Sequence, residues 1–257
     1  MSSIALLSQY EEPSLEVGRH IASDLEYRLV SMQTLLELTA EQFQIPPAEL
    51  AGVFKTKSLW QGRFSKKRIK HFACIEQQLC QLIADDRVVF VGYAGHTIFQ
   101  EISHVLKVLV LAQPSPQTAP NPAVKNWFMS AYQKDLEDPS LYDLTVNLAQ
   151  LDVAEAGNII INTLKHHKFA PMTYSVKCMC NLELSSRIKI LLVEEYPDVS
   201  VKSHDEAVYV YSSGFNRGKQ KAALSTKQKL LRLDGVSHVE VYGDKKLFDS
   251  ITCGQVR

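Results

Sequence analysis

Residues 88–112 read VVFVGYAGHTIFQEISHVLKVLVLA, and this stretch decides the fold. Apolar residues run from Val88 to Val91, a glycine-containing turn follows, and a second apolar run extends from Val105 to Leu111. Continuous apolar runs of this length are typical of strands that are buried on both faces of a sheet. Amphipathic stretches separate such runs throughout residues 1–170. The pattern predicts an α/β domain, with a parallel sheet covered by helices on both faces.

The chain begins with a further apolar run from Ile4 to Leu7, which is predicted to be a buried strand. Ser14 is predicted to cap the helix that follows it, because a serine side chain can accept a hydrogen bond from a first-turn N–H group. The inner face of that helix is predicted from helical spacing to comprise Val17, Ile21, Ala22 and Leu25.

Capping residues and prolines mark the other helices of this region. A helix is predicted after Ser31, and a short one is predicted to open at Pro47, because proline is tolerated in a first turn. A long helix is predicted over residues 66–84, because their apolar side chains recur at helical spacing. Asp152 and Glu155 form the pattern of a capping box for a helix that extends to about His167. A fourth apolar strand is predicted over residues 141–147.

The pattern changes after a break at residues 168–176. A helix is predicted over 184–195, alternating strands over 199–202 and 207–211, a second helix over 218–233 and a last strand over 236–242. The order αββαβ predicts a small α+β domain. We therefore expect one domain over residues 1–170 and a second over residues 176–245, with the proline-rich stretch 113–122 as an exposed loop.

Bulk composition excludes several classes of protein. The formal net charge is zero, so charge gives no reason to expect a nucleic acid as partner. The N-terminus has no basic region followed by a long apolar core, and no apolar stretch reaches the roughly 18 residues of a membrane helix. Five cysteines in 257 residues favour reduced thiols. These observations predict a cytoplasmic protein.

Three segments resemble the cytidylate-kinase-like family of P-loop proteins. They are residues 8–25 (SQYEEPSLEVGRHIASDL), residues 88–112 and residues 138–156 (DPSLYDLTVNLAQLDVAEA). The first has the Gln-Tyr and Glu-Val-Gly-Arg flanks of the family's phosphate loop. The last contains its Tyr-Asp-x-x-(Val/Ile)-Asn strand. The resemblance implies the fold of a nucleoside monophosphate kinase over residues 1–170.

The residues that handle phosphate in that family differ here. A glycine loop lets backbone N–H groups surround a phosphate at the start of a helix. This chain has a degenerate phosphate loop, comprising Glu11, Glu12, Pro13, Ser14, Leu15 and Glu16. Proline has no N–H group, and a carboxylate about 4 Å from a phosphate charge is repelled by about 4 kcal/mol at an effective dielectric of 20. The resemblance therefore implies weak triphosphate binding by this loop.

Other positions that bind phosphate or nucleoside in the family also lack their usual residues here. Tyr93 stands where the resemblance implies an arginine for the acceptor's phosphate, and the region matching the family's nucleoside-binding aspartate is Leu29 to Ser31. The lid region has Lys125 and Lys134 but no arginine. We therefore expect a pseudokinase with no catalytic residues and no cofactor. The alternative is a divergent active kinase that uses ATP and Mg²⁺ and handles phosphate through other cations.

Two basic segments are candidate surfaces for an anion. Residues 55–70 include lysines and arginines interleaved with Trp60, Phe64 and Phe72. The candidate anion-binding residues are Arg19, Arg63, Lys66, Lys67 and Lys70. The predicted helix 218–233 and its flank are also basic, with Arg217, Lys219, Lys221, Lys227, Lys229 and Arg232. A solvated helix face is the more common explanation of both segments, and binding to anions or to a membrane surface is the alternative.

The C-terminal region resembles a BON domain. The matching stretches are LSSRI at residues 184–188 and DGVSHVEV at residues 234–241, which contains the family's Gly-Val-x-x-Val ending. Asp205 and Glu206 replace the glycine that the family has between its two middle strands. The resemblance implies an interaction module that binds a protein partner, a small ligand or a lipid surface, and it implies no catalysis.

Cys178 and Cys180 flank Met179 in a C-x-C pattern that is predicted to lie on a strand. No histidine or cysteine set with familiar zinc spacing accompanies the pair. We therefore expect no metal site.

Overall fold

The computed structural model describes residues 2–8, 10–54, 66–112, 125–126, 128–129, 132, 134–136, 138–216 and 220–254. The chain divides into two compact units. The first comprises residues 1–63 and 81–176, and the second comprises residues 64–80 and 177–257. The domain boundaries predicted from the sequence, 1–170 and 176–245, stay a prediction. The second unit differs from the predicted C-terminal domain in that it also includes residues 64–80.

The first unit contains a parallel sheet of five strands in the order β2-β3-β1-β4-β5. The strands are β1 (Ser3–Ser8), β2 (Arg28–Ser31), β3 (Val88–Val91), β4 (Val105–Leu111) and β5 (Leu144–Asn147). All residues of β1 and β3 are buried, as expected for central strands of a sheet covered on both faces. The predicted α/β class is confirmed.

The helices up to the end of this sheet region are α1 (Glu11–Leu25), α2 (Met32–Phe43), α3 (Pro47–Ala51), α4 (Lys66–Ala84), α5 (Gly95–Ile98) and α6 (Val153–Leu164). The predicted helix start after Ser31 and the predicted capping box are confirmed. The Ser31 side chain accepts from the Thr34 N–H group, and Asp152 forms both halves of a capping box with Glu155. Residues 66–80 of α4 belong to the second unit.

The core of the first unit lies between the sheet and helices α1 and α6. Val17 and Ile21 of α1 and Ile160 of α6 pack in one cluster with the apolar residues of β1, β3 and β4. The predicted inner face of α1 is confirmed, because Val17, Ile21 and Ala22 are buried and Leu25 packs against the same cluster.

The second unit contains a sheet of three strands in the order β6-β7-β8. After α7 (Thr173–Val193) come β6 (Ser200–His204), β7 (Ala207–Tyr211), α8 (Gln220–Leu230), β8 (His238–Tyr242) and α9 (Lys245–Gly254). Strands β6 and β7 are antiparallel, whereas β7 and β8 are parallel. The predicted order αββαβ is confirmed, and α9 follows it.

Helix α7 begins at Thr173 and not at residue 184, so the strand predicted around Cys178 and Cys180 is wrong. Met179 lies buried between the two thiols, and Ser175, four residues earlier, is also buried, which is helical spacing. Residues two apart on a helix point about 200° from each other. The two thiols therefore face different sides, and Cys180 is exposed.

Other boundaries differ from the predictions. Strand β2 and helix α9 were not predicted. Strand β5 begins at Leu144, because the chain forms a 3-10 turn over Pro139–Leu141 first. Helices α6 and α8 each end earlier than predicted. Asp244 is a signal that could have found α9, because its side chain accepts from the N–H groups of Lys246 and Leu247.

The turn between β6 and β7 supplies a stability prediction. Asp205 and Glu206 have φ values of 43° and 66°, a left-handed conformation that glycine adopts without strain. We expect Glu206→Gly to raise the free energy of unfolding by about 1 kcal/mol, measured by urea denaturation. Glu206→Ala is the matched control and should bring no gain, since alanine keeps the Cβ atom. Equal effects of the two variants would contradict the prediction.

Candidate functional site

The connection between β1 and α1 is short. Strand β1 ends at Ser8 and α1 begins at Glu11, so two positions separate them. The predicted loop residues 11–16 all lie in the first turns of α1, and describing them as a turn after the strand is wrong. The local sequence explains the helix, because acidic residues are favourable near a helix N-terminus and a proline in the first turn removes no intrahelical hydrogen bond.

Ser14 does not cap this helix, contrary to the prediction. Tyr10 occupies the N-cap position and makes no capping bond with its side chain. Ser14 lies one turn further on, where its buried hydroxyl donates to the Tyr10 carbonyl at 3.4 Å. The Tyr10 N–H group donates in turn to the Ser8 hydroxyl at 3.2 Å. Polar groups at this end of β1 are therefore bonded to one another.

A small cavity lies where β1 and β3 end and α1 begins, the edge at which open α/β sheets usually bind ligands. Its volume is about 10 Å³, which is room for about one water molecule. Small-molecule sites commonly have volumes of about 300–1,000 Å³. The lining residues are Leu7, Ser8, Ser14, Met32, Val91, Gly92 and Tyr93.

The turn after β3 closes the other side of this cavity. A Cβ atom added at Gly92 would lie 2.6 Å from the Phe90 ring, so the glycine permits close packing of the turn against that ring. Tyr93, which stands at the family's arginine position, is half-buried, and its ring lies 6.1 Å from the Phe54 ring. The turn therefore presents an aromatic side chain without positive charge.

Arg19 is exposed and forms an ion pair with Glu12, with 3.4 Å between Nη1 and Oε1. Both residues belong to α1, so a carboxylate from the predicted phosphate loop neutralises the nearest predicted cation. Exposed pairs of this kind contribute at most about 1 kcal/mol. The main consequence is therefore electrostatic, because Arg19 brings no net positive charge to the start of α1.

The remaining candidate cations lie in other parts of the chain. Arg63 lies outside the described residues, as do Lys55, Lys57, Trp60 and Phe64. Lys66, Lys67 and Lys70 lie in the part of α4 that belongs to the second unit, whereas Arg19 belongs to the first. Lys70 forms a short ion pair with Glu194, just after the end of α7.

Helices α4 and α7 are joined by further polar contacts within the second unit. Gln77 donates to Glu183 at 3.1 Å and accepts from the Ser186 hydroxyl at 2.5 Å. Lys189 forms an ion pair with Glu76 at 2.5 Å. The basic helix that was a candidate for anion binding therefore pairs along its length with α7. Sequence reasoning missed these partners because they lie more than 100 positions away.

His96 is a buried residue that sequence reasoning did not single out. Its ring lies 4.8 Å from the Tyr142 ring and 5.0 Å from the Phe128 ring. Neither ring nitrogen has a hydrogen-bond partner among the described residues, and the same holds for the Thr97 hydroxyl. Burial, with a smaller contribution from the charge of Lys134, lowers the pKa of His96 to about 3. The imidazole is therefore neutral at physiological pH.

A buried ion pair joins β4 to the start of β5. Lys107 Nζ lies 2.9 Å from Asp143 Oδ2, and the Lys107 N–H group donates to the same carboxylate at 3.2 Å. Lys168 contacts the other carboxylate oxygen at 3.2 Å. Burial would raise the pKa of Asp143, but the hydrogen bonds and charge of Lys107 outweigh it and lower the pKa. The carboxylate is therefore held ionised.

The second unit has a cluster of titratable side chains on one face of β8. Glu240 accepts a short hydrogen bond from the Tyr242 hydroxyl and lies 3.2 Å from His238 Nε2. These two bonds lower the pKa of Glu240. Burial and the neighbouring carboxylate raise the pKa of Tyr242. No group of three or more His, Cys, Asp or Glu residues in the described part of the chain could hold a metal ion.

The sheet order and the position of α1 after β1 define the first unit as a P-loop-like kinase fold. Residues 4–115 match the model of the cytidylate kinase-like family. This part of the chain is therefore cytidylate kinase-like, as the resemblance implied. No curated protein matches the chain.

One solved structure resembles the chain more distantly. It is a crystal structure of an uncharacterized protein from Eubacterium ventriosum ATCC 27560. It is 12% identical, covers 63% of this chain and 97% of its own chain, and superposes with a TM-score of 0.43. Among the described residues, no helix is both long enough and apolar enough to cross a bilayer.

Proposed function

We propose that the cytidylate kinase-like unit is a non-catalytic scaffold, a pseudokinase, and that the C-terminal unit binds a protein partner or a small ligand. The observation that supports the first part is the start of α1. The positions that would cradle phosphate, residues 11–16, are helical and contain three glutamates and a proline, and one of them, Ser14, lines a cavity of about 10 Å³.

The charges near the start of α1 support the same proposal. Phosphoryl transfer depends on N–H groups, cations and a metal that stabilise negative charge on the transferred group. The described cation at the start of α1 is Arg19, which is paired with Glu12. Pro13 contributes no N–H group, and Glu12 adds a negative charge where the helix dipole would otherwise favour an anionic ligand. A bound triphosphate would therefore be repelled and not stabilised.

The BON-like resemblance supports the second part. The C-terminal unit has its own core, in which residues of α7, β7, α8 and β8 pack together. A small α+β unit with an independent core is suited to binding, and we propose no catalytic step for it.

A thermal-shift screen tests the pseudokinase proposal. The whole chain is heated with ATP, CTP or CMP, each with and without Mg²⁺. We expect no shift, whereas a ligand present at 100 times its Kd would add about 2.7 kcal/mol of stability. The matched variant carries Glu11→Gly, Glu12→Gly and Pro13→Gly. A thermal shift in the variant alone would identify these three positions as the residues that prevent nucleotide binding.

The competing function, a divergent ATP-dependent kinase for nucleoside monophosphates, predicts the opposite result. The wild-type chain would then show a saturable, Mg²⁺-dependent shift with ATP and would phosphorylate CMP in a coupled assay. Arg19→Ala should abolish that activity if Arg19 leaves Glu12 to contact phosphate. Turnover by the wild-type chain would refute the pseudokinase proposal.

A further inference from the structure

The sheet of the second unit has an aromatic outer face on β7 and β8. Val208 and Val210 of β7 belong to the core cluster of this unit. Side chains alternate between the two faces of a strand, so Tyr209 and Tyr211 lie on the opposite face. Tyr242 of β8 lies beside Tyr211 on that face, because the two residues are paired in the sheet register. Three tyrosines therefore form an aromatic surface away from the core.

Helix α9 covers this surface through one narrow stripe of residues. Phe248 is 3% exposed, and its ring lies 5.9 Å from the Tyr211 ring and 6.1 Å from the Tyr242 ring. Thr252, one turn later, is also buried. Most of the other described side chains of α9 are exposed, and Leu247 is 50% exposed. The helix is therefore held on the sheet mainly by one aromatic anchor and its neighbour one turn away.

The attachment of α9 is separable from the rest of the unit. The core cluster includes residues of α4, α7, β7, α8 and β8 but, among the described residues, none of α9. Helix α9 has 10 residues, and helices shorter than about 12 residues are marginally stable in isolation. Its helical form therefore depends on docking. Local opening of α9 exposes the three tyrosines and leaves the core of the unit packed.

We propose that α9 is an autoinhibitory helix, which occupies a docking site on the outer face of β7 and β8 until an amphipathic helix of a partner protein displaces it. The docked α9 indicates what the partner offers: about three helical turns with an aromatic residue in the position of Phe248. The inference rests on the proposal that the C-terminal unit binds a partner, and it adds the surface and its regulation. Helix α9 lies beyond residues 184–188 and 234–241, which carry the BON resemblance.

The charge of this face favours a protein helix over a single-stranded nucleic acid. Tyrosines can stack on bases, so an oligonucleotide is the other class of ligand that an aromatic sheet surface suggests. The two residues in register with Tyr209 are Lys202 on β6 and Glu240 on β8, and their formal charges cancel. Nucleic-acid binding depends on an excess of positive charge, which the strand residues of this face do not supply.

A peptide that copies α9 tests the proposal on the whole chain. The probe is residues 243–254 with Cys253→Ser and a fluorescein label, and its binding is measured by fluorescence anisotropy. We expect the Phe248→Ala chain to bind the probe at least about tenfold more tightly than the wild type, because its own α9 no longer occupies the face. Leu247→Ala is the matched control, since this side chain is exposed, and should bind within about twofold of the wild type. A probe carrying Phe248→Ala should bind neither chain.

Hydrogen exchange of the wild-type chain gives a second readout that needs no variant to fold. Excess probe should speed amide exchange in α9 and leave exchange in β8 unchanged. Equal affinity of the probe for the wild-type and Phe248→Ala chains would overturn autoinhibition but retain a site for a partner helix. Binding to neither chain would overturn the docking site, and the partner proposed for this unit would then need another surface. Binding of a 12-nucleotide oligouridine that the probe displaces from the Phe248→Ala chain would overturn the choice of a protein helix.

Discussion

Replacing Asp143 with alanine is expected to lower the free energy of unfolding by about 3–5 kcal/mol, measured by urea denaturation at pH 7. The side chain of Lys107 is only 8% exposed, so removing its partner leaves a positive charge buried without compensation. The carboxylate also accepts from the Lys107 N–H group, and this bond is lost as well.

Two variants control this experiment. Lys168→Met removes the exposed member of the cluster and should have an effect below about 1 kcal/mol. Lys107→Met combined with Asp143→Asn removes both buried charges while keeping an acceptor for the backbone N–H group. This double variant should be more stable than Asp143→Ala. If Asp143→Ala were no more harmful than Lys168→Met, the buried pair would contribute nothing to stability.

Acidification is expected to destabilise the first unit through His96. The pKa of His96 is about 3 in the folded protein and about 6.5 in an unfolded chain, so the unfolded state binds more protons between these values. Stability from the neutral imidazole is fully present above pH 6.5 and is lost as the pH falls towards 3. Between pH 7 and pH 5 the loss should be about 2 kcal/mol.

His96→Phe separates this effect from other titrations. Phenylalanine keeps a ring against Tyr142 and Phe128 but has no nitrogen to protonate. The variant should lose about 2 kcal/mol less than the wild type between pH 7 and pH 5, measured by urea denaturation at each pH. Thr97→Val is the neighbouring control and should follow the wild-type pH profile. Parallel profiles for His96→Phe and wild type would refute the prediction.

The sequence predicted most of the elements that carry a strong local signal. The apolar runs of β1, β3 and β4, the Ser31 cap and the capping box at Asp152 each depend on neighbouring residues alone. Helix α4 was predicted with its observed bounds, Lys66–Ala84, because its apolar spacing extends over five turns. Elements of this kind can be predicted from a single sequence.

The errors occurred where the local signal was weak or ambiguous. Strand β2 has four residues, of which only Val30 is buried, so its apolar pattern is too short to recognise. The first half of α7 contains Tyr174, Val176 and cysteines, which favour a strand locally, and tertiary packing overrides that preference. Residues 11–14 were assigned to a loop by analogy with the glycines of the family, although their own composition favours a helix start.

The site could be predicted only in part. The sequence identifies the altered phosphate-loop residues, but it does not show that Glu12 pairs with Arg19 or that the neighbouring cavity is so small. The buried pair of Lys107 and Asp143 joins residues 36 positions apart. A lysine within an otherwise apolar strand was a signal that a buried partner exists, but the sequence does not say which acidic residue it is.

The discontinuous second unit has a consequence for biosynthesis. Lys70 of α4 contacts Glu194, a residue 124 positions later in the chain. Translation at about 5–20 residues per second means that the newly made α4 waits roughly 6–25 s for α7 to emerge from the ribosome. During that interval the side of α4 that will contact α7 is exposed. A nascent chain stalled before α7 should therefore be a preferred substrate for chaperones that bind exposed apolar helices.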